Sequence, residues 1–265
     1  MSKFDAFGEF RMQGHNVLLT GGAQNIGAAI AKSLAGAGAS VMIADLNGDK
    51  AKETAAQIAE TTRARVIGAK CDVTSEADIK AVVGATAEAF GGISTLINNV
   101  GWGAVNPDPL AVTEEEMIAS YKLNTISAYR MSCACAPYLF KAKNATITNS
   151  GSFSSAIPAY PILAYATAKA ALNQLMISLA HAMAKKVRVN SILIGTVITE
   201  GYASAGIDQA TQEKMMHPDT LTGRPGRPED CANAMLWLAS PAGSWVSGQI
   251  INVHGGGTTQ RLMGH

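Results

Sequence analysis

Tyr165 and Lys169 stand four residues apart in a stretch of helical composition, and Ser152 lies thirteen residues before the tyrosine. A spacing of four puts both side chains on one face of a helix, where their head groups can meet. A phenol with a pKa of about 10 exchanges protons poorly at neutral pH until a neighbouring ammonium favours its phenolate. Such a pair suits a reaction in which a proton moves to or from an alcohol or carbonyl oxygen while a hydride moves at carbon. By itself a tyrosine and a lysine at this spacing also describe an ordinary solvated helix face, so the weight rests on what surrounds them.

A second group lies near the N-terminus. Thr20-Gly21-Gly22-Ala23-Gln24-Asn25-Ile26-Gly27 follows a short apolar run and leads into an Ala-rich helical stretch. A glycine-rich turn between strand and helix brings backbone N–H groups and the positive helix end close to a pyrophosphate. The loop is neither a strict G-x-G-x-x-G nor a P-loop, since Ala28-Ala29 follows Gly27 where a P-loop carries lysine and a hydroxyl residue, and a plain tight turn is the competing reading. Asp45 ends the next apolar run, 18 residues after Gly27, where a carboxylate would accept hydrogen bonds from the adenosine ribose. It would repel a 2′-phosphate, and Leu46-Asn47 supplies no cation to bind one, so NAD(H) is favoured over NADP(H). Asp72 and Val73 would flank the adenine, with Asp72 alternatively capping a helix that begins near Ser75.

The elements that must position these residues alternate. Apolar runs at Asn16–Thr20, Ser40–Ala44, Arg65–Gly68, Thr95–Asn98, Ala145–Thr148, Val187–Leu193 and Gln249–Val253 read as seven strands. Ile26–Ala37, Gly48–Glu60, Glu76–Phe90, Thr113–Phe140, Ala164–Lys185 and Pro228–Ala239 read as helices. Strands separated by helices imply right-handed crossovers and a doubly wound α/β fold, a parallel sheet with helices on both faces. No linker or repeat divides the chain, so one domain spanning residues 1–265 is expected, with a lid-like segment at about 200–228 rich in glycine, proline and methionine.

Composition removes other classes. The 265 residues are 48% apolar and 15% charged with a formal net charge of +1, which excludes a disordered chain and disfavours nucleic acid as a partner. The start lacks an apolar signal stretch, and polar residues interrupt the longest apolar region, so a cytoplasmic protein without a membrane span is expected. Four cysteines and five histidines show no metal-ligand spacing, and the expectation is a reduced, metal-free protein.

Thr20-Gly21…Gly27, Asn98-Asn99-Val100-Gly101, Asn124, Ser152, Tyr165-Ala-Thr-Ala-Lys169 and Gly248…Gly255-Gly256 resemble, in order and spacing, the short-chain dehydrogenase/reductase family over roughly residues 11–258. The resemblance implies a single-domain, seven-stranded Rossmann fold, a nicotinamide cofactor and a homotetramer. It implies that Tyr165 is the general acid/base, that Ser152 steadies the substrate oxygen, and that Lys169 binds the nicotinamide ribose and lowers the Tyr165 pKa. Asn124 would hold a water in a proton relay. Gly21, Gln24, Asn25, Ile26 and Gly27 would cradle the cofactor, Asn99 and Gly101 would line its adenosine side, and Thr199 would hold the carboxamide. The sequence departs from the family's pattern at Asn25, where a glycine is usual, at Val100 and at Ile194. Asn25 can keep the turn because asparagine tolerates left-handed backbone.

The implied reaction is hydride transfer between NAD(H) and a secondary alcohol or ketone. Gly101-Trp102-Gly103, residues 223–230 and residues 240–249 resemble family members that act on hydroxysteroids. Trp102, Phe153, Pro158, Tyr160, Tyr202, Met215 and Met216 would build an apolar cleft for a flat alcohol. The alternatives are a 3-oxoacyl-carrier-protein or sugar-type ketone reductase and, outside enzymes, an NAD-binding regulatory protein. The intact Ser152, Tyr165 and Lys169 count against the last.

Overall fold

The computed structural model describes residues 5–199, 210–211 and 220–256. Seven strands run in chain order: β1 (Asn16–Thr20), β2 (Ser40–Asp45), β3 (Val66–Lys70), β4 (Thr95–Asn98), β5 (Ala145–Ser152), β6 (Val187–Ile194) and β7 (Ile250–Val253). They form one sheet in the order β3-β2-β1-β4-β5-β6-β7, and every pairing is parallel. The helices between them are α1 (Asn25–Gly36), α2 (Gly48–Thr62), α3 (Glu76–Phe90), α4 (Glu114–Tyr121), α5 (Ser127–Leu139), α6 (Leu163–Ala182) and α7 (Pro228–Ala239). The doubly wound reading therefore holds. Strands differ from expectation by a few residues at most, except that β5 runs on to include Ser152, which the sequence placed just beyond it.

A parallel sheet covered on both faces needs strands that are apolar throughout, and β1, β2 and β4 are buried along almost their whole length. Two apolar clusters result. Ile79, Val82, Met131, Leu139, Leu172 and Met176 bring α3, α5 and α6 onto one face; Ile30, Leu34, Ala55, Ile58, Met235 and Leu238 bring α1, α2 and α7 onto the other. The α2 backbone comes so close to β3 that a Cβ at Gly68 would collide with the Ala51 carbonyl group. Asn47, Ser75 and Thr113 start α2, α3 and α4 by accepting the backbone N–H three residues on, which satisfies N–H groups the helix leaves unpaired. Ser75, not Asp72, caps α3.

The expected single helix Thr113–Phe140 is interrupted. Between α4 and α5, Lys122–Ile126 forms a π turn in which the Ser127 N–H reaches back to Lys122 O. Such an insertion carries no signature in hydrophobic period, and it commonly marks a functional site. Four cysteines are free among the described residues. No described helix is long and apolar enough to cross a membrane.

The order of the strands reverses direction between β1 and β4, and the crevice beyond the carboxyl ends of strands at such a switch point is where open α/β sheets bind ligands. At the opposite end, Arg188 of β6 holds the end of α7 and the turn before β7. Its guanidinium donates to Leu238 O (2.8 Å), Gly243 O (2.8 Å), Val246 O (3.2 Å) and Ser240 O (3.4 Å). Arg188→Met should lower the unfolding free energy by about 2 kcal/mol, because several acceptors lose a charged donor at once. Urea denaturation checks this, and an unchanged midpoint would contradict it.

Candidate active site

The glycine-rich turn lies at the carboxyl end of β1, and its geometry explains its sequence. Gln24 is extended and Asn25, which opens α1, is left-handed at φ 51°. Asparagine thus keeps the turn. A Cβ at Gly27 would collide with Gly21 O, and one at Gly21 would press on Val100. Asn99 locks the turn to the sheet. Its Nδ2 donates to Gly21 O (2.8 Å), its N–H donates to Thr20 Oγ1 (3.1 Å), and its Oδ1 accepts the Ser150 hydroxyl (2.7 Å).

Gly21, Gln24, Asn25, Ile26, Gly27, Asp45, Asp72, Val73, Asn99 and Gly101 line one cleft of about 390 Å³. The fit to a dinucleotide rests on this geometry: a backbone cradle that side chains would fill, open at the N-terminus of a twelve-residue helix. At its far wall the Asp45 carboxylate accepts N–H bonds from Ala23 (3.1 Å) and Asn47 (3.0 Å), which fixes it in the cleft with acceptor capacity to spare. Asp72 is partly engaged, since its Oδ1 accepts both the N–H and the hydroxyl of Thr74.

Ile26, Asn99 and Gly101 are shared with a second cleft of about 610 Å³, so the two are continuous. This second cleft holds Ser152, Tyr165, Lys169 and Thr199. Tyr165 and Lys169 share a face of α6, as their spacing requires, and Ser152 at the tip of β5 is hydrogen-bonded to the Tyr165 phenol. Lys169 is 1% exposed. Its ammonium donates to Ser150 O (2.9 Å) and Val100 O (3.3 Å) and stands 5.7 Å from the centre of the Tyr165 ring. Burial pushes it down to about 8.

Burial raises the Tyr165 pKa above its usual value, and only the Ser152 hydrogen bond acts against this. The Lys169 ammonium, held by two carbonyls, stands over the same ring.

Asn124 is the next residue of the expected site. It lies in the π turn, 1% exposed, and its side chain is fully used: Oδ1 accepts the Trp102 N–H (3.1 Å), and Nδ2 donates to Trp102 O (2.9 Å) and Ser120 O (3.0 Å). The amide therefore fixes the loop that carries Trp102. The loop it fixes threads tightly past the reactive groups. A Cβ at Gly101 would meet Lys169 Nζ at 2.5 Å, and one at Gly103 would collide with Tyr165.

Of the expected substrate wall, Trp102, Phe153 and Pro158 line the second cleft; Tyr160 is 45% exposed and does not. Tyr202, Met215, Met216 and most of the expected lid lie outside the described residues. Sequence reasoning missed His254, whose ring stacks on Phe153 at 4.1 Å between centroids, and no spacing pattern pointed to it.

Residues 21–258 match a family model described as enoyl-(acyl carrier protein) reductase. The chain is 34% identical over 251 residues to the 7α-hydroxysteroid dehydrogenase of Escherichia coli (strain K12), covering 94% of this chain and 96% of that protein. Among solved structures, a 7α-hydroxysteroid dehydrogenase complexed with NADH and 7-oxoglycochenodeoxycholic acid superposes with a TM-score of 0.89 at 32% identity, covering 97% of this chain and 99% of that one. The L-sorbose reductase of Gluconobacter frateurii, complexed with NADPH and L-sorbose, gives 0.88 at 25% identity, covering 94% and 98%.

Removing the amide of Asn124 strips both backbone groups of Trp102 of their partner. Asn124→Ala should lower the unfolding free energy by about 1–3 kcal/mol, and limited proteolysis should cut faster within residues 101–112. A cleavage rate equal to that of the wild type would contradict the anchoring role.

Proposed function

The chain belongs to the short-chain dehydrogenase/reductase family, and from that premise we propose that it transfers hydride between NAD(H) and a secondary alcohol or ketone carried on an apolar ring system. The observation that carries the reading is the convergence of Ser152, Tyr165 and Lys169 on a cleft continuous with the dinucleotide cradle.

The roles follow from the residues. Gly21, Gln24, Asn25, Ile26 and Gly27 would bind the pyrophosphate, with Asp72, Val73, Asn99 and Gly101 about the adenosine half and Thr199 and Lys169 about the nicotinamide half. When bound, the nicotinamide ring supplies or accepts the hydride. In reduction Tyr165 gives its proton to the substrate oxygen, and Ser152 donates a hydrogen bond that holds that oxygen and stabilises its developing charge. In oxidation the same phenol, deprotonated, takes the hydroxyl proton. Lys169 holds positive charge near the phenolate, Asn124 keeps the Gly101–Gly103 backbone against both groups, and a relay to solvent would pass through Lys169 and the main chain of Asn124.

Asp45 supports NAD(H) because a fixed carboxylate at the ribose end opposes a 2′-phosphate. The same feature, with the near-zero net charge, argues against a carrier-protein reductase that draws on NADPH. The apolar groups of the reaction cleft support a ring-bearing substrate of the hydroxysteroid type. Exposed Tyr129 on α5, with Ile126 and Phe140 at its two ends, supports a homo-oligomer.

With 7α-hydroxylated bile acids and other cyclic secondary alcohols, NAD⁺ should exceed NADP⁺ by at least about tenfold in kcat/KM, and Asp45→Ser should narrow the gap. A preference for NADP⁺ would overturn the assignment. Tyr165→Phe should cost about 10²–10⁴ in turnover with little change in NADH affinity. Because oxidation needs the phenolate and burial raises this phenol above its ordinary value of about 10, kcat/KM for oxidation should climb with pH across the whole alkaline range, and reduction, which needs the protonated phenol, should fall only above about pH 10. Oxidation that is flat across it would contradict the role of Tyr165.

A further inference from the structure

Phe153 immediately follows Ser152 and lines the reaction cleft. It opens the turn Phe153–Ser155, and that turn is rigid. Phe153 O accepts the Ala156 N–H (3.0 Å), the Ser155 hydroxyl donates to Ser152 O (2.5 Å), and Asn173 Nδ2 donates to Ser155 Oγ (2.8 Å). One face of the Phe153 ring is covered by the imidazole of His254, with centroids 4.1 Å apart and planes 26° from parallel.

His254 stands just beyond β7 and fills a space that Gly195 leaves open. A Cβ at Gly195, itself a cleft residue, would meet His254 Cβ at 2.5 Å and Cα at 2.7 Å. The imidazole thus wedges between the ends of β5, β6 and β7. Its Nδ1 is buried without a hydrogen-bond partner among the described residues. A buried nitrogen with nothing to bond is a cost to folding, so what this position uses is the aromatic face of the ring.

We propose that the Phe153 ring, immobilised by His254, is the wall that selects substrate shape, favouring fused alicyclic ketones and alcohols over linear ones of the same carbon number. A flat wall that cannot rotate offers full contact to a rigid ring system. A linear chain must freeze its own torsions to reach the same surface. Trp102 faces the same cleft from the loop that Asn124 holds. The inference rests on the reading of this cleft as the ketone site, and its test uses binding so that it does not depend on turnover.

The dissociation constants of 2-decalone and 2-decanone, both with ten carbons, are to be measured with the full-length chain in the presence of NADH. The wild type should bind the bicyclic ketone about tenfold more tightly. His254→Ala should erase most of that preference through weaker 2-decalone binding alone. His254→Phe should retain it and raise the melting temperature, since the stack survives without the unpaired nitrogen. His254→Leu keeps volume without an aromatic face and should behave like the alanine variant, serving as its folded counterpart. Equal binding of the two ketones by the wild type, an unchanged ratio in His254→Ala and His254→Leu, or a loss in His254→Phe as large as theirs would overturn the proposal. Selective 2-decalone binding that depends on His254 but leaves NADH unoxidised would uphold the wall and refute hydride transfer. Turnover of both ketones with no effect of these variants on their ratio would do the reverse.

Discussion

An ammonium group buried away from water is the constraint on which the site is built. Lys169 can occupy its position only because Ser150 O and Val100 O accept from it, and those carbonyls belong to the carboxyl end of β5 and the loop after β4. Desolvation at such a place disfavours charge, and the lysine falls to about 8 as a result. Meeting its hydrogen-bonding demand ties α6, β5 and the loop after β4 into one unit. Tyr165, one turn earlier on α6, and Ser152, two residues later on β5, are thereby set relative to each other.

The same loop connects the Tyr165–Lys169 pair to the glycine-rich turn. Asn99 bonds the glycine-rich turn, β1 and Ser150 together, and Ser150 is the residue whose carbonyl holds Lys169. Two residues further, Gly101 passes the ammonium at a distance that no side chain would permit, and Asn124 grips both backbone groups of Trp102. The π turn that carries Asn124 is anchored to the same helix, since Thr125 donates to Ala168 O at 2.7 Å. A single network thus runs from the glycine-rich turn to the helix that carries the phenol. It also explains how a chain with asparagine in place of a loop glycine keeps its geometry: Asn25 adopts the left-handed conformation that the turn requires.

Much of this was legible in the sequence because it is written in period and spacing. Seven apolar runs separated by helical stretches imposed the parallel sheet, and the four-residue interval of Tyr165 and Lys169 placed them on one face. Ten of the cofactor candidates line the same cleft. What stayed hidden depends on three-dimensional neighbours that no interval encodes. The π turn inside Thr113–Phe140 follows from contacts with α6 and the Trp102 loop. The raised Tyr165 phenol reflects burial, which depends on how α6 packs and not on any interval. His254 meets Phe153 because β5 and β7 end side by side with β6 between them, about a hundred residues apart in the chain.

The central claim is direct transfer of hydride between a substrate carbon and the cofactor, with Tyr165 handling only the proton. It is tested most directly by offering NAD⁺ with 2-decalol deuterated at the carbinol carbon and following the label by NMR. The account predicts that deuterium appears at C4 of the nicotinamide ring, on one face only, in a one-to-one ratio with ketone formed and with none lost to water. Deuterium released to solvent, or ketone formed without a labelled nicotinamide, would contradict it.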